Sequence, residues 1–163
     1  MSELTIEPVT SQKDTEALDE LLWRILWQPL GLPRDVRQGF KVAGESIELV
    51  ANENGRVTAG VVAVWTGGTE VELRHMAVLP EAQNKGIGRR LIATVVEIVR
   101  PKGCQRIHTI ARNTSVGFFK KLGFTTATGI PPEHPIFKKH GIVFEPMKRI
   151  VEPAGAGDTL QRG

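Results

Sequence analysis

The stretch from Glu70 to Arg100 constrains this chain most, because the spacing of its apolar residues changes across one short loop. Glu70–Leu79 reads as a strand, whereas Gly86–Arg100 carries Ile87, Leu91, Ile92, Val95, Ile98 and Val99 on one helical stripe. Pro101 and Gly103 end that helix. Between strand and helix lies EAQNKGIGRR. A helix start leaves backbone N–H groups without intrahelical partners and concentrates positive dipole there. Gly86 and Gly88 lack side chains, so a ligand can approach the backbone closely, and Lys85, Arg89 and Arg90 add positive charge. The loop is therefore expected to bind a phosphate-bearing ligand.

The first half of the chain reads as a helix laid on an antiparallel meander. Residues 3–10 have the pattern of a short edge strand, and Ser11–Trp27 repeats Leu18, Leu21, Leu22, Ile25 and Leu26 at helical spacing. Arg34–Glu45 is expected to be a short helix or loop. Ile47–Asn52 and Val57–Trp65 are strands joined by Asn54-Gly55, a strong hairpin signal, and Gly67-Gly68 turns the chain into Glu70–Leu79. After the long helix, Gln105–Ala111 reads as a strand, Ser115–Leu122 as a short helix, and Thr125–Thr128 and Ile142–Ile150 as closing strands around a Pro/His/Lys loop. With 163 residues and no long linker, the reading is one domain over residues 3–150 and a disordered tail over 151–163.

Composition narrows the function classes. Lys and Arg number 21 and Asp and Glu 18, an excess of +3 that does not by itself indicate a nucleic-acid protein. The single cysteine, Cys104, rules out an intrachain disulfide framework and a multi-cysteine zinc site, and no metal is expected. The longest apolar run, Ala59–Trp65, is a strand rather than a membrane span, and the N-terminus lacks the pattern of a secretion signal. A cytoplasmic protein acting without membrane or nucleic acid is the expectation.

The glycine loop is not a P-loop, since G-x-x-x-x-G-K-[ST] does not occur. It also lacks the third glycine of the dinucleotide fingerprint, and the strands before it look like hairpins. Instead, Gln83-Asn84-Lys85-Gly86-Ile87-Gly88 resembles the Q/R-x-x-G-x-G/A signature of the GNAT superfamily of acyl-CoA-dependent N-acyltransferases. Leu73–Pro80 resembles that family's fourth strand, and Ala111-Arg112-Asn113 through Phe118–Phe124 resembles its A-R-x-x-A-V-x-F-Y-x-K-L-G-F stretch. Gly141–Lys148 resembles the closing strand of one subgroup.

The resemblance implies an α/β fold: a mixed, mostly antiparallel twisted sheet of six or seven strands, splayed at its centre, with helices on both faces. It implies an N-acetyltransferase with acetyl-CoA as co-substrate, acting as a monomer or homodimer on a primary amine of a small molecule or peptide. The amine would attack the thioester directly in a ternary complex. The alternative is a non-catalytic acyl-CoA-binding module of the same fold. Backbone groups of Met76, Ala77 and Val78 would line the pantetheine arm. Gln83 and Asn84 would belong to the cofactor-binding loop, backbone N–H groups of Lys85, Gly86, Ile87, Gly88 and Arg89 would cradle the pyrophosphate, Asn113 would reach the pantetheine, and Phe118 or Phe119 would pack beside the CoA moiety. The amine acceptor would lie between Trp23–Glu45 and Ile130–Gly141.

One departure from the family bears on the chemistry. The tyrosine that protonates the departing thiolate falls on Phe119, and the sequence contains no tyrosine. Candidates for the base that deprotonates the amine are Glu72, His75 and His108. Strand alternation puts Glu72 and Arg74 on the face of Met76 and Val78, with His75 on the opposite face.

Overall fold

Strand order in the computed structural model, which describes residues 3–40, 42–131 and 134–153, is β1-β2-β3-β4-β5-β7-β6 in one seven-stranded sheet. The strands are β1 (Leu4–Pro8), β2 (Ser46–Glu53), β3 (Arg56–Gly67), β4 (Glu70–Val78), β5 (Arg106–Arg112), β6 (Thr125–Thr126) and β7 (Phe144–Ile150). The β1–β2, β2–β3, β5–β7 and β6–β7 pairs are antiparallel, whereas β4 and β5 are parallel. A parallel pair needs a crossover connection, and here it contains helix α2 (Ile87–Val99). The β4–β5 ladder runs from Glu70 opposite Arg106 to Leu73 opposite Thr109. Among the described residues, no helix is long and apolar enough to cross a membrane.

Two compact units divide the chain: Met1–Val64 with Arg74–Val95, and Trp65–Leu73 with Val96–Gly163. In the first unit, the β2–β3 turn places Asn54 at φ 54° and Gly55 at φ 87°. Those angles match the paired positive φ values that a two-residue hairpin loop requires. Residues Thr58–Val64 of β3 are buried without a break, so both faces of this strand are covered and the apolar run needs no alternation. Helix α1 (Gln12–Leu22) starts where Ser11 Oγ accepts the Asp14 N–H at 3.1 Å, and it buries Leu18, Leu21 and Leu22. It packs against β3 at Gly60, where a Cβ would come within 2.4 Å of Leu18 Cδ1 and 3.2 Å of the Leu49 carbonyl oxygen.

The helix does not reach Trp27 as regular α-helix. Trp23–Trp27 is a π turn closed by the Gln28 N–H on the Trp23 carbonyl. Among the described residues of the Arg34–Glu45 stretch, only a short 3-10 turn, Val36–Phe40, forms.

In the second unit, Val71, Leu73, Val99, Ile107, Ala111, Phe119, Phe124 and Met147 are buried. Helix α3 (Val116–Lys121) follows a 3-10 turn at Asn113–Ser115. The expected strand over 125–128 is only Thr125–Thr126. Ala127 still donates to the Pro146 carbonyl at 2.8 Å, but Pro146 has no N–H to return, so the ladder ends. The Pro/His/Lys loop contains helix α4 (Pro135–Lys139), which the sequence reading missed. His134 caps it by accepting the Ile136 N–H on Nδ1, and Pro135 takes the first helical position. The chain stays packed past residue 150: Val151 is buried and donates its N–H to the Gln105 carbonyl. The remainder of the expected tail, 154–163, lies outside the described residues.

Candidate active site

The first unit brings together the C-terminal part of β4, the Gln83–Arg89 loop and the start of α2. Leu79 leaves the strand donating to the Thr58 carbonyl at 2.9 Å, and Pro80–Ala82 makes one 3-10 turn. Asn84 and Gly86 then adopt positive φ, 65° and 79°. Left-handed residues in a loop can turn successive N–H groups to one side, the geometry of an anion-binding nest. A Cβ on Gly86 would meet nothing within 4 Å, so the backbone there is open to an approaching group.

Helix α2 has no acidic residue in its first turn, so no carboxylate of its own competes for the positive end of the dipole. Its first turn closes with the Arg90 N–H on the Gly86 carbonyl at 3.1 Å. Ile87 is buried with the core side of α2, so only its backbone can serve a ligand, whereas Lys85, Arg89 and Arg90 are exposed. Lys85 Nζ lies 3.8 Å from Glu53 Oε2, a contact it can exchange for a phosphate.

Gln83 is held from its side chain. Its Nε2 donates to the Val78 carbonyl at 3.1 Å, tying the loop to the end of β4. Val78 thus has one carbonyl lone pair engaged. Ala77 is buried, while Met76 and Val78 are half-buried on the alternate face.

His75 lies one residue before Met76, its ring edge-on to Trp27 at 5.0 Å and tilted against Phe40 at 6.2 Å. The π turn brings Trp27 here, whereas Trp23 faces Arg34, 5.8 Å above its ring, and donates Nε1 to the Leu32 carbonyl. A cavity of about 100 Å3 opens beside His75, with Arg37, Phe40, Glu48 and Arg74 among its walls. Arg37, on the 3-10 turn, is buried and donates to Asp19 and to Glu48, the latter at 2.7 Å. Arg74 Nη2 donates to the Phe40 carbonyl at 2.7 Å. The sequence reading did not single out Arg37, Phe40 or Glu48, although Arg37 and Phe40 fall within the Trp23–Glu45 stretch it gave to the acceptor. Arg37 and its carboxylate partners are far apart in the chain, and no local spacing marks them.

The other predicted residues lie in the second unit. Glu72 stands opposite His108 in the β4–β5 register, and His108 Nε2 lies 3.2 Å from Thr66 Oγ1. Asn113 Oδ1 accepts the Val143 N–H at 3.1 Å, so a contact to a ligand falls to its Nδ2. Phe119 is a core residue, edge-on to Phe118 at 5.1 Å and Phe124 at 5.2 Å, whereas Phe118 is half-buried. Cys104 is buried, its thiol donates to the Arg106 carbonyl at 3.4 Å, and burial pushes its pKa up.

Known proteins with similar sequences and folds agree on one assignment. The uncharacterized N-acetyltransferase YjhQ of Escherichia coli (strain K12) is 30% identical over 108 residues, which are 60% of this chain and 58% of that protein. Two further curated relatives are covered over 47% and 56% of their length, so the chain spans about half of each. The ribosomal-protein-S18-alanine N-acetyltransferase of Escherichia coli shares the fold with a TM-score of 0.73 at 19% identity, over 94% of this chain and 97% of that one. A GNAT family acetyltransferase from Elizabethkingia anophelis, solved with acetyl-CoA bound, has a TM-score of 0.65 at 18% identity, over 90% and 97%. The sequence profile of the Acetyltransferase (GNAT) family matches residues 13–124, well over half of the chain, and the protein belongs to that family.

Proposed function

We propose that this protein transfers the acetyl group of acetyl-CoA to a primary amine of a small molecule or peptide, by direct attack within a ternary complex. The observation that carries this reading is the loop after β4. Its positive-φ residues Asn84 and Gly86, the open backbone at Gly86 and the acid-free start of α2 converge beside Lys85 and Arg89. That arrangement suits a diphosphate better than any other ligand class the residues would accept.

On this reading, Lys85–Arg89 hold the diphosphate while Met76–Val78 align the thioester, with the Val78 or Met76 N–H donating to the oxyanion as the amine adds. An alkylammonium has a pKa near ~10 and must lose a proton before attack. His75, whose ring packs against Trp27 and Phe40, is one candidate base in this unit. Glu72 is the other candidate. Phe119 has no hydroxyl to give the departing sulfur. A thiolate of pKa near ~8.5 departs acceptably with a proton from water. Cys104 is too deeply packed to deputise. Cytoplasmic location and a monomeric or homodimeric state complete the proposal.

Thiol release from acetyl-CoA, followed over a panel of amino acids, polyamines, aminoglycosides and peptides, tests it. Amine-dependent release is expected. Tight acetyl-CoA binding without release for any amine would favour a binding module lacking turnover, which the apolar Phe119 would also suit.

A further inference from the structure

Arg37 is a charged side chain whose burial calls for a reason. It is 8% exposed, and its guanidinium donates to Asp19 on α1 and, at 2.7 Å, to Glu48 on β2. Resting on the acetyl-transfer reading above, we propose that Arg37 is a positioning residue of the acceptor side. It anchors the Val36–Phe40 turn to α1 and β2, and so sets Phe40 and, with it, the His75 ring.

A five-residue 3-10 run is longer than this helix type usually sustains by itself, so the turn needs anchoring from outside. A guanidinium supplies it, because its planar fork of donors meets two carboxylates from different elements at once. The ammonium of a lysine, a point charge, does not reproduce that geometry. The Asp19 and Glu48 side chains are each only 25% exposed. Taking such charges out of water offsets much of their mutual attraction, so the triad adds little stability and serves instead to fix one arrangement. With both arms of its fork engaged, Arg37 acts through the turn rather than on a ligand.

The far end of the turn is where that arrangement is used. The Phe40 carbonyl accepts Arg74 Nη2 at 2.7 Å, and the Phe40 ring packs on Trp27 at 5.5 Å and on His75 at 6.2 Å. Trp27 in turn meets His75 edge-on at 5.0 Å, so the three rings form one cluster. Of these, Phe40 belongs to the turn that Arg37 anchors. A turn that drifts therefore shifts one wall of the cavity beside His75 and loosens the ring cluster. The diphosphate loop is tied separately, through Gln83 on the Val78 carbonyl and Leu79 on the Thr58 carbonyl. Loosening Arg37 should thus act on the acceptor and not on the coenzyme.

Arg37→Lys, which keeps the charge but loses the fork, and Asp19→Asn, which weakens one arm, test this. A merely structural role would lower the melting temperature and leave the two following readouts where they are in the folded protein. The first is the His75 ring-proton resonance, identified among the four histidines by its loss in His75→Gln. It should move in both variants toward its position in the urea-unfolded chain, while that of His108, in the other unit, stays. The second is KM for the amine that releases thiol fastest among the amino acids, polyamines, aminoglycosides and peptides of the panel. It should rise about fivefold or more, as loosening one contact would give, while the acetyl-CoA melting shift equals the parent's. An unmoved His75 resonance in a folded variant overturns the proposal, as does an unchanged acceptor KM or an acetyl-CoA shift that is lost with it. If Arg37→Lys does not fold, Asp19→Asn decides by the same readouts. Absence of both an acetyl-CoA melting shift and any thiol release in the parent would instead overturn the acetyl-transfer reading, and the His75 resonance would still judge the Arg37 anchor.

Discussion

At the scale of single residues, two side chains decide how much acid–base chemistry the protein can do without a tyrosine. Cys104 is 4% exposed, and desolvation by burial, the first cause, raises its thiol above the ordinary range. Little thiolate therefore forms in the folded state near neutral pH. Iodoacetamide at about pH 8 should leave it unmodified until urea is added, a result read by mass spectrometry. The sign of the linked stability follows from the same shift. Above the ordinary thiol pKa of about 8.5, the unfolded chain releases the proton while the folded chain retains it, so stability falls as pH rises through that range. Phe119 poses the complementary question. Phe119→Tyr preserves the ring contacts with Phe118 and Phe124 and adds the missing donor. We expect kcat to rise, toward the ~10²-fold lower end of acid catalysis, with KM for acetyl-CoA unchanged in a thiol-release assay. An unchanged kcat would mean that thiolate departure does not limit turnover.

At the scale of elements, Gly60 sets how closely α1 lies on β3. A methyl group there meets the fully buried Leu18 and a backbone carbonyl that cannot move alone. Gly60→Ala is expected to cost about 1–3 kcal/mol by overpacking, measurable as a lower urea midpoint at constant slope. This position also shows where sequence reading stops. The hairpin at Asn54-Gly55 is legible because it depends on two neighbouring residues, and α2 is legible because one stripe buries its face. Gly60 reads as a passive gap in an apolar run, since its reason is a leucine more than 40 positions away. The π turn at Trp23–Trp27 is hidden in the same way: its residues keep helical spacing, and only the packing of Trp27 on His75 and Phe40 distinguishes it. The passage from β4 through the glycine loop into α2 is local and was readable. The cavity depends on Arg37, Glu48 and Arg74 meeting across the fold, and it was not.

At the scale of the whole molecule, ligand and folding are coupled, because the loop that would hold the diphosphate is fixed only when β4, the 3-10 turn and α2 are all in place. Acetyl-CoA at a hundred times its Kd should therefore add about 2.7 kcal/mol to the unfolding free energy, seen as a rise in Tm that grows with the logarithm of concentration. On the proposed reading, Arg89, exposed in the first turn of α2, would supply part of that affinity as a charge-assisted contact. Arg89→Glu reverses the charge at a site built for an anion. Losing one hydrogen bond to a charged group, about 1.5–3 kcal/mol, should weaken binding by about tenfold or more and reduce the melting shift at fixed acetyl-CoA. The fold without ligand should melt within a degree or two of the parent, because an exposed side chain is exchanged away from the core. Raising salt should narrow the gap between parent and variant, since the contact is at the surface and screened within about 10 Å at 0.1 M. An affinity untouched by the reversal would place the diphosphate away from the start of α2.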